Sequence, residues 1–134
     1  MEKLRFGPAG VPRSAKDPST EAGILRCSEL GLDCMEMEFT HGVQMKEPTA
    51  LTISPVRQKH DVFLTAHGPY YINLNSKEGP KRAASRVRIL QTARIAHLCG
   101  AWSIVFHAAF MMEMPPKEVQ AAVKREMTVI METL

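Results

Sequence analysis

His60-Asp61-Val62-Phe63-Leu64-Thr65-Ala66-His67-Gly68-Pro69-Tyr70-Tyr71-Ile72-Asn73-Leu74-Asn75-Ser76 changes character at one residue. From Asp61 to Ala66 it is short, apolar and β-prone, the composition of a buried parallel strand. That strand ends on His67, and Gly68-Pro69 stops it. An imidazole is thereby set at the C-terminal edge of a strand, where α/β proteins build their sites.

A second run repeats the pattern. Trp102-Ser103-Ile104-Val105-Phe106 reads as another buried strand, and it ends on His107. Between the two histidines lies a long helical pattern over residues 80–99. Strand, helix and strand make one βαβ unit, so the strands should be parallel neighbours. Neighbouring strands lie about 4.8 Å apart. His67 and His107 are therefore expected side by side on one rim, at a spacing that lets two imidazoles share a metal ion.

The rest of the chain sets the frame. Its 134 residues amount to one domain, and 45% hydrophobic content is ordinary for a globular protein. A net charge of +3 permits nucleic-acid binding without arguing for it. Cys27, Cys34 and Cys99 form no C-x-x-C pair, and three cysteines cannot all be bridged within one chain. They read as reduced thiols, which points to the cytoplasm. No apolar run is long enough for a membrane span, and residues 1–10 lack a signal-peptide core.

Taken in order, residues 3–7 form the expected first strand, followed by a Gly- and Pro-rich loop. Asp17 or Ser19 caps a helix that runs to Leu30, with Gly31 as its left-handed stop. Residues 32–39 are the second strand. Period two puts Cys34, Glu36 and Glu38 on one face and Met35, Met37 and Phe39 on the other. Glu36 and Glu38 either pack as paired polar groups or support a metal from the interior. Pro55 should break a helix over residues 49–59, so the expectation is a shorter one capped by Ser54. Over residues 80–99 the expected buried face is Ala83, Ala84, Val87, Leu90 and Leu98, with Arg82, Arg86 and Arg88 solvated. Pro115-Pro116 starts a last helix whose stripe is Val119, Val123, Met127, Ile130 and Leu134. That stripe reaches the final residue with no closing Gly, Asn or polar tail, the pattern of a truncated chain. Met111, Met112 and Met114 read as apolar packing.

The order β-α-β-α-β-α-β-α admits an open doubly wound sheet or half of a (β/α)8 barrel. Neither G-x-G-x-x-G nor a P-loop occurs, so a nucleotide-binding sheet gains no support.

Longer motifs narrow this. Arg5-Phe6-Gly7-Pro8-Ala9-Gly10, Glu38-Phe39-Thr40-x-Gly42-Val43, Ala66-His67-Gly68-Pro69-Tyr70-Tyr71-Ile72-Asn73-Leu74 and Val105-Phe106-His107 together resemble the N-terminal half of archaeal-type endonuclease IV. This is the apurinic/apyrimidinic endonuclease family within the xylose-isomerase-like TIM barrels. The resemblance runs from Lys3 to about Met114 and is most specific in His-x-x-Tyr-x-Ile-Asn-Leu. It implies half of a (β/α)8 TIM barrel over residues 1–134, with four parallel strands in the order 1-2-3-4 and helices outside. It also implies a zinc-dependent phosphodiesterase of DNA repair that cuts 5′ of abasic sites. His67 and His107 match two ligands of one zinc. Tyr70 and Asn73 match a loop that contacts DNA. The other ligands of the family's three-zinc cluster come from later strands, so the fragment alone should be inactive. The sequence departs at His107-Ala108-Ala109, where many relatives have His-Pro-Gly.

Two other readings stand beside this one. A sugar isomerase or epimerase of the same superfamily would use one divalent ion, and Glu38 at a strand end would suit it. A non-catalytic barrel fragment would associate through its open edges or with a missing C-terminal half. For each histidine taken singly, a core or surface role bonded to backbone is the plainer reading. His41, His60 and His97 lack strand-end contexts and read as structural or solvated. Tyr70 either stacks on nucleic acid or caps the core.

Overall fold

A computed structural model describes residues 4–134. Helix α1, Thr20–Glu29, starts where Ser19 Oγ accepts the Ala22 N–H at 3.1 Å. It stops at Gly31, whose φ of 68° costs little without a Cβ. Strand β1, Cys34–Glu38, follows, then α2, Glu47–Lys59, β2, Phe63–His67, and α3, Gly79–Leu98. Strand β3, Ser103–Val105, and α4, Pro116–Met131, complete the chain. The strands pair in parallel in the order β1-β2-β3. Cys34 stands opposite Phe63, Glu38 opposite His67, and His67 opposite Val105.

The period-two reading of β1 holds. Met35, Met37 and Phe39 are buried against the helices with Leu64, Ala66, Ile24 and Ile53. Cys34, Glu36 and Glu38 take the other face, beside Thr65 and His67, and among the described residues no helix covers them. Helices on one side and sheet order equal to chain order describe a partial barrel rather than a doubly wound sheet. On the inner face, Leu4, Arg5, Phe63, Thr65 and Trp102 line a concavity of about 720 Å³. The Arg5 guanidinium sits 5.0 Å above the Phe63 ring, and Trp102 is 77% exposed.

Several expectations need correction. In place of a first strand over residues 3–7, the chain pairs with β1 slightly later, through a single bridge between Ala9 and Glu36. Lys3 lies outside the described residues. Asp33 N–H donates to Phe6, Glu36 N–H to Pro8, and Gly10 N–H to Glu36, each at 2.9–3.0 Å. Pro8 has no N–H, so the segment cannot build a full ladder there. The sheet is thus three regular strands with this segment along its first edge.

Helix α2 begins at Glu47 and carries Pro55 inside it rather than starting there. Pro48 takes the first turn, where a missing N–H costs nothing. Pro55 and Leu51, the residue four back, both lie on the exposed side of the helix, where water can serve the freed carbonyl.

Helix α3 buries Ser85, Ile89, Thr92, Ile95 and Ala96, while Val87 is exposed. Arg82 and Arg86 are not solvated. Both pair with Glu126 of α4, Arg82 at 3.3 Å, and are about one-third exposed. Met111 and Met112 are exposed, not packed. Both Met112 and Glu113 have positive φ, and Met114 is half-buried with its Sδ 3.6 Å from Asn75 Nδ2. Among the described residues, no helix is long and apolar enough to cross a membrane.

Candidate metal centre

The rim histidines are placed by backbone pairing. His67 is the last residue of β2, and its carbonyl accepts the Phe39 N–H at 2.9 Å. Gly68 N–H donates to the Val105 carbonyl at 2.8 Å, which extends the β2–β3 contact past the strand end. His107 lies two residues beyond β3. The two ring centroids are 5.4 Å apart with planes at 50°.

That spacing can be checked against zinc geometry. A nitrogen about 2.1 Å from zinc puts its ring centroid roughly 3.2 Å from the metal, so two tetrahedral bonds separate the centroids by about 5.2 Å. The observed pair fits within a few tenths of an ångström. His67 Nδ1 lies 2.8 Å from the Gly68 carbonyl, which can only accept. The proton therefore belongs on Nδ1, and Nε2 keeps the lone pair a metal needs. His67 is half-buried and His107 exposed.

Tyr70 completes a ring cluster. Its centroid is 5.7 Å from His67 and 6.2 Å from His107, and the residue is 49% exposed. Its N–H donates to the Thr40 carbonyl, tying this loop to the one after β1. His41 comes from that loop and meets Tyr70 edge-on at 6.3 Å. His41 has no strand-end context in the sequence. Its signal was position alone, three residues beyond the carboxylate that ends β1.

Glu38 is level with His67 in register but exposed. Glu36 lies one inward position deeper, where its Oε2 accepts the Thr65 hydroxyl at 3.1 Å. Among the described residues, no three His, Cys, Asp or Glu side chains converge to hold a metal. The histidines thus fit as two ligands of a zinc, with further ligands needed. The side-chain oxygen of half-buried Asn73 accepts the N–H groups of Asn75 and Phe110 at 3.1 and 3.2 Å. His60 caps the end of α2, and His97 is exposed in the last turn of α3.

Residues 24–134 match the family described as a xylose isomerase-like TIM barrel. The chain belongs to this family. An uncharacterized protein of Methanocaldococcus jannaschii is 37% identical over 131 residues, which are 98% of this chain and 46% of that protein. Endonuclease IV from Thermus thermophilus superposes with a TM-score of 0.69 at 14% identity, over 95% of this chain and 47% of that one. D-psicose 3-epimerase crystallised with D-fructose gives 0.70 at 19% identity, over 95% and 47%. D-psicose 3-epimerase from Clostridium cellulolyticum with D-tagatose gives 0.72 at 11% identity, over 96% and 48%. This xylose isomerase-like chain therefore has the fold of half a TIM barrel, and it spans about half the length of the proteins it matches.

Proposed function

We propose that the chain is the N-terminal half of a zinc-dependent apurinic/apyrimidinic endonuclease, cleaving the phosphodiester 5′ of abasic sites in DNA. The observation that carries this reading is the His67–His107 pair, at the separation two ligands of one zinc require. The fold shared with endonuclease IV is compatible with it. In this reading His67 and His107 present neutral imidazole nitrogens to one metal. Tyr70, half-exposed beside them, offers a ring face to the nucleotide at the lesion. Bound zinc would supply Lewis-acid stabilisation of the phosphoryl group and an acidified water. The chain's own part is to fix the His67 tautomer through Gly68 and to set both rings on a rigid rim.

A second reading has its own support. The sugar epimerases superpose as well as the nuclease does, and Glu38 ends its strand beside His67. In that reading Glu38 would join a single divalent ion in handling a ketose. The test offers an abasic-site duplex and a ketohexose, each with a divalent ion, to the closed barrel that carries residues 1–134. Strand scission at the lesion with no sugar turnover supports the nuclease. The opposite result selects the epimerase.

A further inference from the structure

We infer that Asn73 and Asn75 are positioning residues for His107, a latch between the loops after β2 and β3. His107 lies beyond regular β pairing, so something else must hold it. On its N-terminal side the Val105 carbonyl is fixed by Gly68 N–H. On its C-terminal side the anchors come from residues 73–75. Leu74 N–H donates to the Ala108 carbonyl at 2.9 Å. Asn73 Oδ1 accepts the Phe110 N–H at 3.2 Å, and Asn75 Nδ2 donates to the Phe110 carbonyl at 3.0 Å.

The two asparagines act as one unit, because the same Asn73 oxygen also accepts the Asn75 N–H. The unit is itself tied to α3, where Ser85 Oγ accepts the Asn73 N–H at 3.0 Å. Asn75 is 5% exposed, so its amide serves the protein's interior rather than a ligand. The loop after His107 is thereby held by the backbone of Leu74 and the side chains of Asn73 and Asn75. As far as it concerns ligation, the inference rests on the metal reading above.

The test uses the 134-residue chain with labelled histidines and zinc. Asn73→Asp keeps an acceptor oxygen in place, whereas Asn73→Ala and Asn75→Ala remove the latch. The alanine variants should weaken zinc binding about 10-fold, the usual scale for groups that orient a ligand. They should also lose the His67–His107 ring-to-ring nuclear Overhauser contact, while helix content and the His67–Tyr70 contact persist. Asn73→Asp should recover both readouts. If Asn73 instead acted on DNA through its amide, Asn73→Ala would leave zinc affinity and ring contact at the parent's level, and that result overturns the latch. If the parent binds no zinc, two rim ligands do not hold the metal without the others, and ring contact alone judges the latch. Should Asn73→Ala not fold, the parent decides. A Phe110 N–H protected from exchange supports the latch, and one exchanging at the open-chain rate overturns it.

Discussion

At single residues, His67 carries the sharpest expectation. Its Nδ1 is committed to the Gly68 carbonyl, so only Nε2 is free to face a metal. Replacing His67 by Ala should abolish zinc binding by the chain, read in a competition titration against a chromophoric chelator. Retained zinc at parental affinity would contradict the shared-ligand geometry. Cys99 gives a second expectation of a different kind. Burial pushes its thiol up from 9.0 to about 11. It lies 3.5 Å from Met45 Sδ, deep under the sheet. The thiolate is favoured in the unfolded chain, so stability is full below pH 9 and falls as pH rises towards 11. The loss is roughly 2–3 kcal/mol. Thermal unfolding followed between pH 8 and 11 should show that decline, and Cys99→Ala should flatten it. Under native labelling Cys34, which is half-exposed, should react before Cys27 and Cys99, which are buried.

Among the elements, α4 depends on one carboxylate. Glu126 receives both Arg82 and Arg86 from α3 and is only 15% exposed. Glu126→Gln leaves two half-buried cations without a counter-charge and should cost about 1–3 kcal/mol. Denaturant unfolding reads that cost, and an unchanged midpoint would show the pairs to be idle. The edge segment has an equally specific dependence. A Cβ on Gly7 would sit 1.7 Å from the Cys34 carbonyl oxygen, so Gly7→Ala must push residues 6–10 off β1. Faster exchange of the Asp33 and Glu36 amides, which donate to that segment, is the expected signature.

These elements also show what could be read from the sequence. Strands β1 and β2 were legible because Met35, Met37, Leu64 and Ala66 alternate cleanly with polar or half-buried neighbours. The buried face of α3 was not, because Ser85 and Thr92 lie on it. Each returns its hydroxyl to the carbonyl four residues back at 2.8 Å, and hydropathy cannot register that repayment. Pro55 misled for a related reason: its cost depends on which side of the helix meets water. The histidine pair was legible because His67 ends β2 and His107 follows the neighbouring parallel strand by two residues. The bond from Phe110 N–H to Asn73 was not, because it comes from a loop 37 residues away.

For the whole molecule, the bare inner face dominates. Glu36, Phe63 and Thr65 there are only half-buried, and β3 ends the sheet as an open edge. Such an edge invites pairing with another chain. Sedimentation of the purified 134-residue chain should show concentration-dependent association. The same preparation, supplied with zinc, should leave an abasic-site duplex uncut, because a hydrolytic zinc takes three protein ligands and the rim brings two histidines together. A monomer that cut at the lesion would show that two rim ligands suffice.

The order β1-β2-β3 has a consequence in time as well as in space. Each strand pairs with the one synthesised just before it, and β1 itself pairs with the N-terminal segment that precedes it. During synthesis, then, each of these βα units leaves the ribosome to find the strand it pairs with already made. Over these three strands the direction of sheet growth is the direction of translation.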